Sequence, residues 1–190
     1  MTDWVKMFGF VKKFFRSKKK EKSKEAKKSF IPEAVKFDVL NRQNRRCAMC
    51  GRFLRIYEFD HMVPVALGGT SDVNNIQALC PECHRLKTKF DRLLISRFKE
   101  MSAPKKNLVL KTVKRRWLFI GEYPNSLDGV PEWLLNGIPN FNFKINDDGY
   151  PFTFVRGKSF EYLIVMYSRN NYLFFKRFRR SSNRKGRRRR

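Results

Sequence analysis

Two Cys-x-x-Cys pairs constrain the fold of this chain more than any other feature. Cys47 and Cys50 form the first pair, and Cys80 and Cys83 form the second. The chain has four cysteines in all, so the two pairs use every thiol. Such a pair can turn both of its sulfurs toward one ion, and four thiolates suit a tetrahedral zinc at about 2.3 Å. We therefore predict one structural Zn²⁺ site.

Disulfide bonds are the alternative for the same cysteines. No secretory signal is recognised before them, and a repeated Cys-x-x-Cys spacing is typical of zinc sites rather than of disulfide frameworks. A zinc site alone would only stabilise a small domain. Any chemistry must therefore come from the residues around the cysteines.

Both histidines of the chain lie in the same short window as the cysteines. Asp60 and His61 are adjacent between the two pairs, and His84 directly follows Cys83. On an extended strand, adjacent side chains point to opposite faces, so Asp60 and His61 are expected to serve different purposes.

The sequence FDHMVPVALGGTSDVNNIQALCPECHRLK resembles the HNH nuclease motif of the ββα-metal fold, in its four-cysteine, zinc-bearing form. The similarity covers D-H-x-x-P, the G-G loop, N-I-x-x-L-C-x-x-C-H and a following lysine. The preceding segment IPEAVKFDVLNRQNRRCAMCG is similar to the helix that enters such domains. The resemblance implies an α+β fold with a ββα-metal domain.

The resemblance also implies roles for individual residues. His61 would be the general base, and Asp60 with His84 would hold a catalytic Mg²⁺ or another divalent ion such as Mn²⁺, which a histidine ligand also admits. Asn75 would brace the loop that bears the histidine. Lys87 matches the lysine of C-H-x-x-K and is expected to contact a phosphate. Val63 departs from the fuller motif, which has a histidine there.

Three arginines are candidate nucleic-acid contacts from their positions alone. Arg85 lies beside His84 on the predicted helix, and Arg45 and Arg46 lie at the end of the entering helix. For isolated residues the alternatives are structural. Asp60 could cap or pair with an arginine, Asn75 could be a turn residue, and either histidine could ligate zinc.

The charge of the chain indicates a polyanionic partner. The formal net charge is +26, with a pI near 10.4. Residues 1–30 and 176–190 supply most of it, with 11 and 10 basic residues against 3 and no acids. Nucleic acid, most simply double-stranded DNA, is the first expectation, and an anionic membrane the second. No apolar run approaches the roughly 20 residues of a transmembrane helix, so we predict a soluble, intracellular protein.

We predict four segments along the chain. Residues 1–30 form a basic arm whose Trp4, Phe8, Val11 and Phe15 have helical spacing, suggesting a packed helix, a membrane-surface helix or a targeting presequence. Residues 31–100 form the nuclease domain, 101–175 an accessory β-rich module that could bind DNA, and 176–190 an Arg-rich tail.

Local patterns predict the following elements. We expect a helix over about 32–44 with Ser29 as a possible N-cap, strands over 53–62 and 75–79, and a helix from Cys80-Pro81 to about Lys99. Residues 99–106 are predicted to be a linker. Beyond them we expect a strand at 117–120, a helical turn in VPEWLLNGIPN, and two hairpins that turn at 146–149 and 168–171. The alternating aromatics are expected mainly in the core, with base stacking as the alternative.

The family resemblance and the basic flanks together predict a metal-dependent DNA endonuclease of homing or phage type. We expect it to act in the cytoplasm or nucleoid of a bacterial or phage-infected cell, with a nucleus or organelle as alternatives. Restriction and packaging-associated nucleases use the same module. The competing hypothesis is a non-catalytic, zinc-stapled nucleic-acid-binding protein. The oligomeric state is left open.

Overall fold

The computed structural model describes residues 30–124 and 130–179. Residues 1–29 of the arm predicted over 1–30, the Ser29 cap, and residues 180–190 of the tail predicted over 176–190 lie outside these residues.

The first part of the described chain is a small sheet between two helices. It comprises α1 (Glu33–Arg42), β1 (Glu58–His61), β2 (Ile76–Leu79) and α2 (Pro81–Phe98). β1 and β2 are antiparallel, with Asp60 opposite Gln77 and His61 opposite Ile76. Short 3₁₀ turns at Val65–Leu67 and Val73–Asn75 interrupt the connection between the strands. The order β, β, α matches the predicted ββα arrangement.

Helix α2 begins where predicted, with Pro81 in its first turn, where the missing N–H is not needed. Its buried side chains recur at helical spacing and are Cys83, Lys87, Phe90 and Leu94. A lysine therefore lies within the buried stripe of the helix.

Two of the predicted element bounds were wrong. The strand predicted over 53–62 is confined to Glu58–His61, and Phe53 makes only an isolated bridge with Arg46. The predicted helix over 32–44 ends at Arg42, because Asn44 and Arg45 take left-handed conformations with φ of 49°.

The predicted linker at 99–106 was also wrong. Helix α3 (Ala103–Lys114) begins inside it, with Ser102 at the N-cap position and a proline in the first turn. Leu108, Val109 and Val113 form its buried face. The helical spacing of Leu108, Val109 and Val113 was the available signal for this helix.

The second sheet has five antiparallel strands in the order β3-β7-β6-β5-β4. Its strands are β3 (Leu118–Tyr123), β4 (Lys144–Ile145), β5 (Pro151–Arg156), β6 (Phe160–Ser168) and β7 (Asn171–Phe178). Both predicted hairpins are confirmed, β4–β5 and β6–β7, and the predicted helical turn is α4 (Glu132–Asn136). Phe119, Phe174 and Phe175 are fully buried, as expected for core aromatics.

One hydrophobic core joins the two sheets. Cys83 and Phe90 of the first part belong to the same buried cluster as Ile120, Ile164 and Phe174 of the second sheet. A further cluster packs Leu94 of α2 with residues of α3 and the second sheet. The second sheet therefore supports α2, the helix that carries His84 and Lys87. Within the described ranges, no helix has the length and apolarity that crossing a bilayer requires.

Candidate active site and zinc centre

The four cysteines converge on one point. The Sγ atoms of Cys47, Cys50, Cys80 and Cys83 all lie within 4.8 Å of one another, and those of Cys50 and Cys80 are 3.9 Å apart. Sulfurs at the corners of a tetrahedron around zinc, with bonds of about 2.3 Å, are separated by roughly 3.8 Å. The arrangement therefore fits a four-thiolate zinc ion, and the group contains no disulfide.

One arginine places positive charge beside the cluster. Arg52 donates from Nε to Cys50 Sγ at 3.5 Å and from Nη2 to Cys80 Sγ at 3.9 Å, and the same side chain pairs with Glu82. The hydrogen bond between Cys47 and Cys83 lowers the pKa of Cys47 and raises that of Cys83, and burial raises the pKa of Cys80. A guanidinium beside the sulfurs offsets the charge that four thiolates would bring to a zinc ion.

One face of β1 meets one face of α2 through charged side chains. Glu58 and Asp60 lie two residues apart on the strand and so share a face. Glu58 Oε2 is 2.7 Å from His84 Nδ1, and Asp60 Oδ2 is 3.0 Å from Lys87 Nζ. The predicted metal ligands Asp60 and His84 thus both belong to this contact between strand and helix.

Lys87 does not fit the expected role of a phosphate contact. Its residue is 3 % exposed, and its ammonium lies between the carboxylates of Asp60 and Asp91. A buried ammonium paired twice cannot reach a phosphate in solvent without breaking both pairs. Its place in the structure is that of a positioning residue for Asp60.

His61 occupies the other side of β1. Its Nε2 forms a hydrogen bond with the Ser71 hydroxyl at 3.1 Å, the one side-chain hydrogen bond of His61 to the described residues. Burial lowers the pKa of His61 below its ordinary value, and the charge of Asp60 opposes that effect. The imidazole is therefore predominantly neutral at pH 7, the form that can accept a proton.

Asn75 fastens the loop between β1 and β2 at two points. Its Oδ1 accepts a hydrogen bond from the Val63 N–H at 2.9 Å, and its Nδ2 donates to the carbonyls of Val63 at 3.1 Å and Thr70 at 2.8 Å. Gly69 lies so close to this brace that an added Cβ would be 1.9 Å from the Val63 carbonyl oxygen. The loop that carries Ser71 is thereby held against the strand that carries His61.

The candidate ligands for a catalytic divalent ion each retain one donor atom. Asp60 Oδ1 and His84 Nε2 have no hydrogen-bond partner among residues 30–124 and 130–179, while the second atom of each group is engaged. Gln77 Oε1, on the side chain next to Asp60, is buried and has no hydrogen-bond partner among the described residues. An unpaired buried acceptor is unfavourable, so a bound water or ion suits this position. The donor set is compatible with a divalent ion.

In the described part of the chain, the four cysteines are the single group of three or more metal-ligating side chains close enough to share an ion. A catalytic ion would therefore take few protein ligands. Such a site leaves room for waters and a phosphate oxygen.

The three predicted arginine contacts lie on the surface. Arg45, Arg46 and Arg85 are all exposed, and Arg46 also donates to the Gly51 carbonyl at 3.2 Å. Arg42, the last residue of α1, has a structural role, because its Nη2 donates to the carbonyls of Val73 and Ile76.

Four residues of the site were missed in the sequence: Glu58, Ser71, Gln77 and Asp91. Two of them had a signal. Glu58 lies two residues before Asp60 on a predicted strand, which places both on one face. Asp91 lies four residues after Lys87 on a predicted helix, the spacing of a side-chain pair. Ser71 and Gln77 depend on the folded loop and the strand register, which the local sequence does not give.

Two comparisons with known proteins found a match. Residues 47–90 match the family model described as HNH endonuclease. A segment of 46 residues is 33 % identical to Anaredoxin from Nostoc sp. (strain PCC 7120 / SAG 25.82 / UTEX 2576). The matched segment is 24 % of this chain and 60 % of Anaredoxin, so the chain spans less than two thirds of that relative. No solved structure matches the chain.

Proposed function

We propose that this protein, which carries an HNH endonuclease domain at residues 47–90, is a metal-dependent endonuclease that hydrolyses the phosphodiester bonds of double-stranded DNA. One observation carries the proposal. The adjacent residues Asp60 and His61 lie on opposite sides of β1, Asp60 among charged groups of α2 and His61 beside Ser71. This separates a metal-binding carboxylate from a proton acceptor.

His61 acts as the general base. With Ser71 engaged at Nε2, the ring nitrogen left to accept a proton is Nδ1. Ser71 can accept a hydrogen bond from Nε2–H, which holds the ring in the tautomer whose Nδ1 has a free lone pair. His61 removes a proton from a water as its oxygen attacks phosphorus, and the bond to the 3′ oxygen breaks. That oxygen then takes a proton from solvent.

Asp60 and His84 would hold the divalent ion. The ion supplies positive charge for the phosphate oxygens and the departing 3′ oxygen. Glu58 accepts a hydrogen bond from His84 Nδ1–H and so orients Nε2 as the donor atom. Lys87 holds Asp60 in place. Zinc at the four cysteines has a structural role at the other end of β2.

A plasmid assay tests this proposal. Supercoiled DNA incubated with the protein should be nicked or linearised with Mg²⁺ or Mn²⁺ and left intact in EDTA, under conditions in which elemental analysis shows that the zinc is retained. Absence of cleavage with Mg²⁺, Mn²⁺, Co²⁺ and Ni²⁺ alike, by protein that binds DNA, would contradict it.

The second candidate, a non-catalytic nucleic-acid-binding protein, has one observation in its favour. The charge of Asp60 is already balanced by Lys87, so the carboxylate has a stable partner without a divalent ion. Binding of DNA that is independent of divalent ions, together with no nicking, would favour this candidate.

A homing- or phage-type role extends the main proposal. It is supported by the basic residues beyond the domain, which could contact a long DNA site. Sequencing of cleavage ends from a random-sequence library should then show a recognition site longer than the few base pairs beside the cut.

A further inference from the structure

We propose that helix α3 and the end of strand β7 form a track for the phosphate backbone of nucleic acid, running from the loop beside His61 to the zinc knuckle. This inference rests on the proposed function for its ligand. The track is defined by Lys111, Lys114, Arg115, Arg116 and Arg177.

The track begins at a cleft between the His61 loop and α3. The cleft has a volume of about 510 Å³ and is lined by Gly68–Thr70 on one side and by Lys111 and Lys114 on the other. Thr70 is the neighbour of Ser71, which contacts His61. Lys114 is exposed and forms no ion pair with any residue in the described ranges. A strand that reaches His61 would therefore pass an available ammonium group.

Two further clefts continue from the first through shared residues. Lys111 also lines a cleft of about 270 Å³, which it shares with Arg115, and Arg115 in turn lines a third cleft of about 310 Å³. The middle cleft contains acids as well: Lys111 pairs with Asp148 at 2.6 Å, and Asp147 lies beside it. Each cleft shares a basic residue with the next, so the three clefts adjoin one another.

The third cleft presents a preorganised guanidinium. Glu161 fixes Arg177, because its carboxylate accepts a hydrogen bond from Arg177 Nε at 3.0 Å and pairs with Nη2 at 2.9 Å. The guanidinium of Arg177 also lies over the Trp117 ring, 4.3 Å from its centroid. Arg115, Arg116 and Arg177 line this cleft together with the carboxylate of Glu161. A planar guanidinium held in this way matches a phosphodiester oxygen pair.

The same cleft touches the zinc knuckle, because Ala48 and Met49, between the first two zinc cysteines, form its other wall. The surface therefore connects the two functional parts of the domain. A concave, basic track that leads to the His61 loop suits a nucleic-acid strand better than a flat lipid surface.

The test is the salt dependence of DNA binding by the full-length chain. Fluorescence anisotropy with a 30-base-pair duplex in EDTA, from 50 to 300 mM KCl and under conditions in which elemental analysis shows that zinc is retained, compares the wild type with Lys114→Glu/Arg115→Glu. Each phosphate contact contributes about 0.9 to the slope of log K against log salt. The double variant should lower the magnitude of the slope by about 2 and weaken binding about tenfold or more at low salt.

The matched control is Lys99→Glu/Arg169→Glu, which changes the charge equally at two exposed positions outside all three clefts. It should bind with nearly the wild-type slope. Equal losses in both double variants, or a wild-type slope for the α3 variant, would overturn the proposal. The single variant Lys114→Ala, expected to lower the slope by about 1, decides the matter if the double variant does not fold.

Two further results separate this inference from its premise. Binding in EDTA needs no cleavage, so an inactive wild type with the predicted slopes would contradict the nuclease proposal and leave the track intact. Binding of the same variants to vesicles containing anionic lipid is the last measurement. An α3 variant that loses vesicle binding but keeps duplex binding would overturn the nucleic-acid assignment.

Discussion

The ammonium of Lys87 lies 3.0 Å from Asp60 Oδ2 in a position where only 3 % of the lysine is exposed. The pair links β1 to α2 next to the candidate metal ligands, and Asp91 completes it from the following turn of the helix. A lysine in the buried stripe of α2 thus connects the stability of the fold to the position of Asp60, the carboxylate proposed as a metal ligand.

Replacing Lys87 by methionine should strongly destabilise the protein. The change would leave Asp60 and Asp91 buried without their cation, and breaking a buried ion pair in this way costs about 3–5 kcal/mol. Urea unfolding measures the loss. Lys89→Met, at an exposed position on the same helix, is the control and should change the free energy of unfolding by less than about 0.5 kcal/mol. Equal unfolding midpoints for the two variants would contradict the role of Lys87.

Asp91 should make stability depend on pH. Burial raises the pKa of Asp91 from 3.8 to about 6 in the folded protein. Its contribution to stability is therefore fully present below pH 3.8 and is lost as the pH rises through 6. Asp91→Asn does not titrate, so its stability relative to the wild type should increase by roughly 2–3 kcal/mol between pH 4 and pH 7.

Urea unfolding at several pH values follows this difference, in which contributions common to both proteins cancel. The exposed Asp147→Asn provides the control and should show no such trend. A constant difference between Asp91→Asn and the wild type across the range would argue against a raised pKa.

Asn75→Ala should loosen the loop beside His61. The variant loses the three hydrogen bonds to Val63 and Thr70, each contributing about 1 kcal/mol, so a loss of about 3 kcal/mol is expected. The Val63 amide, whose N–H donates to Asn75 Oδ1, should exchange its hydrogen faster in the variant. Asn142→Ala, at an exposed asparagine, serves as the control. An unchanged exchange rate of the Val63 amide in Asn75→Ala would contradict the bracing role of Asn75.

Loss of zinc should unfold the region around the cysteines. Cys47 and Cys83 belong to the hydrophobic core that joins the two sheets, so removing the ion should disturb that core as well. We expect Cys83→Ser to bind less than one equivalent of zinc and to melt about 10 °C or more below the wild type. Elemental analysis and calorimetry measure both effects. A zinc-free wild type with an unchanged melting temperature would disprove the structural site.

Features that depend on short-range patterns could be predicted from the sequence. The cysteine spacing predicted the cluster, Pro81 predicted the start of α2, and turn residues between aromatic arms predicted both hairpins. In each case a few neighbouring residues restrict the backbone or the ligand geometry strongly enough to fix the outcome.

Other features depend on contacts that only the folded chain creates. Lysine is normally exposed, and the burial of Lys87 follows from carboxylates on β1 and on the next helical turn. Helix α3 was missed because its charged residues suggested a linker, whereas its stability comes from packing Leu108, Val109 and Val113 on the second sheet. The strand predicted from residue 53 was too long, since alternation alone does not supply a pairing partner.

The central claim is that His61 is the general base, and single-turnover cleavage of a duplex by His61→Ala tests it most directly. Zinc content, melting temperature and DNA affinity of the variant should match those of the wild type. With saturating enzyme and Mn²⁺ or Mg²⁺, the cleavage rate should fall by about 10²-fold or more. A rate within threefold of the wild type, from a preparation free of contaminating nuclease, would contradict the account.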